Sequence, residues 1–302
     1  MTRNENFKAY LAWISICIIW GTTYLAIRIG VEDIPPVLFA GFRWVIAGPI
    51  LFLILKSRGM ALPKKEDLIP MGIVGLALLG IGNGFVVFAE QSVPSGLTSL
   101  LITTVPFWIV GIEAFMPKGV RLNLTVMFGL LFGLVGIILI FGHDLGSLLE
   151  PKFFAGVIGL MVAVIGWSAG TIYSKYKKVS VHPLMGASVQ MIIAGIFLTI
   201  FGLTLGEASS FHFTNDSFIA FVYLIIFGSL IGYASYIYAV AHLPVSLVST
   251  YAYVNPVIAL FLGWFVLNEK ITAEIFIGAA IILFGVALVK KGTSHSITKI
   301  SK

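Results

Sequence analysis

The sequence predicts an all-α membrane protein with ten transmembrane helices, arranged as two inverted-topology repeats of five helices each. Three observations lead to this prediction: an apolar composition, ten long apolar runs, and residues that recur at a nearly constant offset. The 302-residue chain is 59% hydrophobic and only 11% charged, whereas soluble domains are about 45–50% apolar and about 25% charged. Polar side chains could not cover that much apolar surface in water. The composition therefore excludes a soluble enzyme and a disordered regulator.

The ten apolar runs are each close to the ~20 residues that a helix needs to cross a bilayer. Clusters of charged and turn-forming residues, such as 56–67, 142–152 and 206–216, separate them. In chain order the runs are 9–27, 36–55, 68–89, 96–116, 122–141, 153–173, 183–205, 218–240, 246–267 and 273–289.

The segments between these runs differ strongly in positive charge. With the N-terminus in the cytoplasm, 15 of the 19 Lys and Arg residues fall on the cytoplasmic side, 3 fall outside, and Arg43 lies within a run. Positive residues favour the cytoplasmic face of a membrane. We therefore expect a multi-pass protein of the cell (inner) membrane with both termini cytoplasmic and a cytoplasmic tail over residues 291–302.

The two halves of the chain, residues 9–141 and 153–290, share residues at a nearly fixed spacing. Trp20, Pro36 and Arg43 are each followed 147 residues later by a counterpart (Trp167, Pro183 and Gln190), and Gly82, Pro94 and Pro106 are followed 150 residues later by Gly232, Pro244 and Pro256. Each half holds five runs. Because five is odd, the halves enter the membrane in opposite senses, and such inverted repeats carry their substrate site near the midplane between them.

Several motifs resemble those of the EamA family, in the drug/metabolite transporter superfamily. They are Trp20-Gly21-Thr22-Thr23-Tyr24, Phe42-Arg43-Trp44, Asn255-Pro256 and Asn268-Glu269-Lys270-Ile271-Thr272. The resemblance covers residues ~10–290 as two tandem copies. One departure is Gly119, which stands where the first copy would match Glu269. The resemblance implies export or import of small metabolites, often amino acids, by a secondary mechanism. The inverted repeats predict alternating access, and export is the expected direction.

Charged side chains inside the runs are the first candidates for solute binding and coupling. Arg43 lies seven residues into the second run, where a charge is expensive and faces the protein interior. It is expected to bind a substrate carboxylate or to pair with Glu90; snorkelling to the interface or joining two helices is the structural alternative. Glu90 and Glu113 are candidate proton-coupling groups, because a carboxyl in a low-dielectric site can exchange a proton during transport. Glu113 has the alternative of reaching Lys118 or Arg121.

Polar, kinked and aromatic positions complete the predicted substrate-binding set. Asn83 and Asn255 can bind a polar solute or join helices. Pro106 and Pro256 break two runs at matched positions, which is tolerated where backbone lines a cavity. The remaining members are Trp20, Trp167 and Tyr253, which can stack on a solute, and Gln190, the counterpart of Arg43. Packing without ligand contact is the alternative for all of them.

Two other function classes remain as alternatives. A passive channel or facilitator fits the same composition. Gly166-Trp167-Ser168-Ala169-Gly170 also matches the Gly-x-Ser-x-Gly pattern of a serine nucleophile, so an intramembrane serine protease is a distant alternative. That motif belongs to a strand–turn–helix context. We expect no catalytic residue, no metal, no cofactor and no nucleic-acid partner. The expected partners are a small-molecule solute and the lipid bilayer, and Gly-x-x-x-Gly pairs leave a homo-oligomer open.

Overall fold

The computed structural model describes residues 3–116, 123–142, 146, 150–258 and 273–300, and these residues are almost entirely helical. We number the helices in chain order. They are α1 (Arg3–Gly30), α2 (Pro36–Ser57), α3 (Lys65–Ala89), α4 (Ser95–Ile102 and Val105–Ala114), α5 (Leu124–Phe141), α6 (Phe154–Tyr176), α7 (Pro183–Thr204), α8 (Asn215–His242), α9 (Val245–Ile258) and α10 (Ala273–Ile300).

Eight of these helices are long and apolar enough to cross a membrane, and two shorter apolar helices, within α5 and α9, accompany them in the described residues. Their outer faces carry large exposed apolar side chains such as Phe128, Ile200 and Phe276. An apolar surface of this kind is stable only against lipid. The chain is therefore a multi-pass membrane protein.

Local chemistry explains where the helices begin. Proline occupies the first turn of α2 and of α7, where its missing N–H removes no helical hydrogen bond. The free N–H groups of Val37 and Leu38 are bound by the Glu207 carboxylate at 3.3 and 2.7 Å. Thr214 caps α8 through Ser217. At the other end of the chain, α10 continues to Ile300, so the first ten residues of the predicted tail extend the last helix.

Four helices are interrupted. α3 and α8 contain π-helical segments, Leu76–Asn83 and Leu224–Tyr233, and an offset of 150 residues superimposes most of one on the other. α4 breaks at a turn over 103–104, and α9 at a turn over 249–250. π-helical segments are rare and concentrate at functional sites. The interruptions therefore indicate a functional site in the region where these four helices meet.

The most extensive helix–helix contacts join α2 to α7 and α5 to α10. On α2, Gly41 faces Thr199 and Gly48 faces Ser188 and Ile192, so the positions on α7 decrease as those on α2 increase. The two helices consequently run antiparallel. Gly195, the counterpart of Gly48, packs in turn on the backbone of α2 at positions 44–45.

The α5–α10 pair shows the same arrangement. Gly129 packs on the carbonyl oxygen of Gly285, and Gly136 packs on that of Gly278, so these helices also run antiparallel. Both pairs join a helix to the one five positions later in the chain. Contacts between α1 and α8 are likewise matched by contacts between α6 and α3. Exchanging each helix for the one five positions away thus preserves these contacts.

Candidate functional site

A cavity of about 70 Å³ lies where α1, α2, α3, α4, α6 and α9 meet. Its walls carry four of the predicted binding residues (Trp20, Arg43, Asn83 and Trp167) together with Thr23, Tyr24, Trp44, Gly82, Val86 and Tyr251. On α1 the lining runs from Trp20 to Ile27, and on α3 from Gly82 to Val86. The cavity therefore extends toward the end of the bundle where α1 and α3 terminate.

Within the part of the chain that the structure describes, Arg43 is the one charged side chain that lines the cavity. It is 3% exposed, its Nε donates to the Ser229 hydroxyl at 2.7 Å, and its Cζ lies 4.2 Å from the centre of the Trp44 ring. Its Nη1 has no hydrogen-bond partner within the described part of the chain. No ion pair joins Arg43 to Glu90 there, so the expected pairing is not formed. The guanidinium is thus a buried cation with unused donors at a cavity wall.

An aromatic cluster closes one side of this cavity. It consists of Trp20, Trp167, Tyr236 and Tyr251, contributed by α1, α6, α8 and α9. The rings of Trp20 and Trp167 meet edge to face at 5.4 Å, and Trp20 lies 5.0 Å from Tyr251. Trp167 Nε1 donates to the Tyr236 hydroxyl at 3.0 Å. The repeat-related tryptophans therefore meet each other at the centre of the molecule.

Glycines in the π-helical segments give these large side chains their space. A Cβ atom at Gly232 would lie 2.5 Å from Trp20 Nε1, and one at Gly82 would lie 2.8 Å from Trp167 Cε3. A Cβ at Gly228 would lie 2.7 Å from Arg43 Nη2. Any larger residue at these positions would displace a cavity wall.

The two asparagines have different surroundings. Asn83 lines the cavity, and its Oδ1 has no partner among the described residues. Asn255 is buried outside the cavity. In the amide orientation that satisfies its hydrogen bonds, its nitrogen donates to the carbonyl oxygens of Cys17 and Tyr251, both at 2.9 Å. Asn83 therefore has free polar atoms for a solute, whereas Asn255 joins α1 to α9.

The other predicted binding residues lie outside the cavity. Tyr253 donates to the Leu130 carbonyl at 3.2 Å and packs on Gly133 of α5. Gln190 accepts a hydrogen bond of 2.7 Å from the Tyr233 hydroxyl and borders a separate pocket that also contains Lys175, Lys177 and Lys178. Pro106 lies in the first turn of the second segment of α4, next to the lining residue Val105. Pro256 is buried within α9.

The two acids lie at opposite positions relative to the cavity. Glu90 directly follows α3, is 0% exposed, and neither of its carboxyl oxygens has a hydrogen-bond partner among the described residues. It interacts with Tyr24, a cavity residue, and with Arg28. Glu113 lies on α4 and accepts a hydrogen bond of 2.8 Å from the Tyr176 hydroxyl. Lys118 and Arg121, its expected alternatives, lie outside the described residues, as does the motif over 268–272.

Ser168 does not have the surroundings of a nucleophile. It is fully buried in the continuous helix α6, and its hydroxyl has no partner in the described part of the chain. Of the four described histidines, His182 precedes α7, His212 precedes α8, His242 ends α8 and His295 lies near the end of α10. A serine nucleophile needs a general base within hydrogen-bond reach, and Ser168 has none there.

Four polar or aromatic residues of the cavity wall were not predicted from the sequence as binding residues: Thr23, Tyr24, Trp44 and Tyr251. Three of them lie in motifs that the sequence displays, because Thr23 and Tyr24 end the Trp-Gly-Thr-Thr-Tyr motif and Trp44 follows Arg43. Tyr251 carries no such signal, since its position in the cavity depends on the turn over 249–250 that rotates the helix after it.

Comparison with known proteins agrees with this architecture. Residues 7–142 and 154–290 each match the model of the EamA-like transporter family. The chain is 35% identical over 293 residues to "Uncharacterized inner membrane transporter YedA" of Escherichia coli K12, which covers 97% of this chain and 94% of that protein. It is 28% identical over 280 residues to "Uncharacterized transporter YoaV" of Bacillus subtilis 168, with 92% and 95% covered.

A solved crystal structure shares the fold, with a TM-score of 0.78 and 21% sequence identity over 95% of this chain and 98% of that one. The family model matches both halves of the sequence, and relatives align along nearly its whole length. The chain therefore belongs to the EamA-like transporter family.

Proposed function

We propose that this protein is a secondary transporter that moves a small carboxylate-bearing metabolite by alternating access. Its ten helices form two inverted repeats, residues 9–141 and 153–290. Both termini lie in the cytoplasm, and so does the tail over residues 291–302. The antiparallel packing of α2 on α7 and of α5 on α10 supports this arrangement, because each pair consists of equivalent helices. Two equivalent halves of opposite orientation give two conformations of similar energy, one open to each side.

The observation that carries the proposal is Arg43. A buried guanidinium without an acidic partner is costly, and its planar fork matches the two oxygens of a carboxylate. Nε is already bound to Ser229, which leaves the Nη atoms for the solute. A carboxylate in the cavity would complete the ion pair that no described residue forms with Arg43. Arg43 is thus proposed to select an anionic group on the solute.

The rest of the cavity fits a solute that combines polar and apolar parts. Asn83 offers an amide with an unpaired oxygen, suited to an amino group. Trp20 and Trp167 present ring faces on which an apolar side chain can stack. A carboxylate, an amino group and an apolar side chain together describe an amino acid. The relatives named as inner membrane transporter and transporter support transport across the cell membrane, and export remains the proposed direction.

The test begins by identifying the solute. Metabolites in the medium of overexpressing cells are compared with those of cells that lack the protein, and each enriched compound is then assayed in proteoliposomes. We expect saturable uptake that is accelerated when the same compound is present on the opposite side. Such trans-stimulation requires a site that faces one side at a time.

Flux that rises linearly with concentration and shows no trans-stimulation would contradict the proposal and indicate a channel. Absence of any exported or exchanged carboxylate would contradict the assignment of Arg43. Arg43→Lys, which keeps the charge but loses the fork, should exchange the solute more weakly than the unmodified protein.

A further inference from the structure

Arg28 ties the end of α1 to the end of α3. It lies in the last turn of α1, and its Nη1 donates to the carbonyl oxygens of Glu90 and, at 3.0 Å, of Gln91. The last carbonyls of a helix lack partners within the helix and carry partial negative charge, so a cation is stabilised beside them. We call this contact the Arg28 latch.

A matching contact occurs in the second repeat. Lys175 lies in the last turn of α6, and its Nζ donates to the carbonyl oxygens of Val240 at 2.9 Å and Leu243 at 2.8 Å, at the end of α8. Lys175 follows Arg28 by 147 residues and Val240 follows Glu90 by 150, which are the offsets of the repeat. The second contact, the Lys175 latch, is therefore equivalent to the first.

The two latches lie at opposite ends of the bundle. Thr214, at the start of α8, donates a hydrogen bond of 2.5 Å to Asp33, just past α1 and Arg28. Lys175 binds at the other end of α8, which has 28 residues. At 1.5 Å per residue, the ends of that helix are about 40 Å apart. The two latches thus join helix ends on opposite sides of the bundle.

A buried carboxyl group accompanies each latch. Glu90 interacts electrostatically with Arg28 and with the Tyr24 hydroxyl, yet Arg28 donates to backbone oxygens and leaves both carboxyl oxygens unpaired. Glu113 is 5% exposed, interacts electrostatically with Lys175 and accepts the Tyr176 hydrogen bond. Lys178, in the segment that follows α6, repels Lys175 electrostatically. In neither case does an ion pair form in the described residues.

This geometry suits carboxyl groups that carry a proton. An ionised carboxylate that is buried with no hydrogen bond, as at Glu90, or with a single one, as at Glu113, is strongly unfavourable unless a cation pairs with it. On losing its proton, each acid would draw the neighbouring cation away from the helix end. We propose that Glu90 and Glu113 are proton-binding sites that control the Arg28 and Lys175 latches, so that protons open and close the two ends of the pathway. This inference rests on the proposed alternating-access function and names its coupling ion.

The experiment measures distances across each latch without any solute. The sole cysteine is first removed as Cys17→Ala. One pair of spin labels is placed at Glu32→Cys and Gln91→Cys, and another at Lys178→Cys and Ala241→Cys, all at exposed positions. Distances are recorded in lipid nanodiscs from pH 5 to 8.5. For each pair we expect the ratio of long to short distances to rise with pH, by up to about tenfold per pH unit for one coupled proton.

The variants separate the two acids and the two cations. Glu90→Gln should keep the first pair short at every pH while the second pair still responds, and Glu113→Gln should do the reverse. Arg28→Gln should leave the first pair long at every pH. Arg28→Lys is the matched control, because the second repeat uses lysine at this position, and it should retain the pH response.

Distances that do not change with pH, or an unaltered pH response in both glutamine variants, would overturn the proposal. Either result would leave solute counterflow intact, which distinguishes it from failure of the transport function. Loss of counterflow with a preserved pH response of the distances would instead contradict the transport function alone.

Discussion

Replacing Arg43 by glutamine should weaken solute binding far more than it weakens the fold. The guanidinium offers two nitrogens beyond the one bound to Ser229, and hydrogen bonds to charged groups contribute about 1.5–3 kcal/mol each. Glutamine can replace one of two such bonds and none of the charge. The loss is then about 3 kcal/mol, or roughly a hundredfold in affinity.

Counterflow in proteoliposomes measures this loss as the solute concentration at half-maximal exchange, at matched amounts of protein. Thermal unfolding in detergent provides the stability control. Arg43 has no acidic partner in the described residues, so its replacement leaves no buried countercharge behind, and the unfolding temperature should change little. Unchanged solute affinity in Arg43→Gln at equal protein level would refute the role assigned to this residue. An equal loss of affinity and stability would assign Arg43 to helix packing.

Two further predictions concern packing and surface electrostatics. Gly48→Ala should lower the free energy of unfolding by about 1–3 kcal/mol, because the new Cβ would lie 2.8 Å from the backbone nitrogen of Ile192. Gly72→Ala is the control: its new Cβ would have its nearest neighbour at 3.7 Å, so the unfolding temperature should not change. The Thr214 hydrogen bond, aided by His212, lowers the pKa of Asp33, so Asp33 stabilises the fold above its ordinary pKa and ceases to do so as the pH falls through the lowered value. Asp33→Asn should therefore be less stable than the unmodified protein at pH 7 in thermal unfolding, with a difference that shrinks toward pH 3, and a difference that grows on acidification would refute this reasoning.

Features that depend on residue type and spacing were accessible from the sequence. Pro36 and Pro183 begin helices because proline fits the first turn and little else in a helix. Trp20 and Trp167 meet at the cavity, as their common offset suggested. Arg43 and Asn83 line the same cavity because polar atoms within a membrane face the interior.

Features that depend on rotation about a helix axis were not accessible. Tyr251 and Tyr253 differ by two residues, or about 200° around a helix, and the turn over 249–250 decides which one faces the cavity. Arg43 and Glu90 share a level in the predicted membrane, yet Arg43 points to α8 and Glu90 to the end of α1. A common depth therefore does not establish an ion pair.

The π-helical segments were missed for a related reason. Their sequences are apolar except for Asn83, Ser229 and Tyr233, so the period of hydrophobicity cannot distinguish i→i+5 from i→i+4 hydrogen bonding. Gly82 and Gly232 lie in these segments, where they admit the tryptophans of the other repeat. Their role depends on a close approach between helices distant in the chain.

Alternating access requires one cavity that opens to each side of the membrane in turn. Asn83→Cys in the Cys17→Ala protein places a single thiol on the cavity wall. A membrane-impermeant maleimide is then applied from either face of sealed vesicles. The account predicts labelling from both faces and protection by the transported solute; labelling from one face only, or labelling that the solute leaves unchanged, would contradict it.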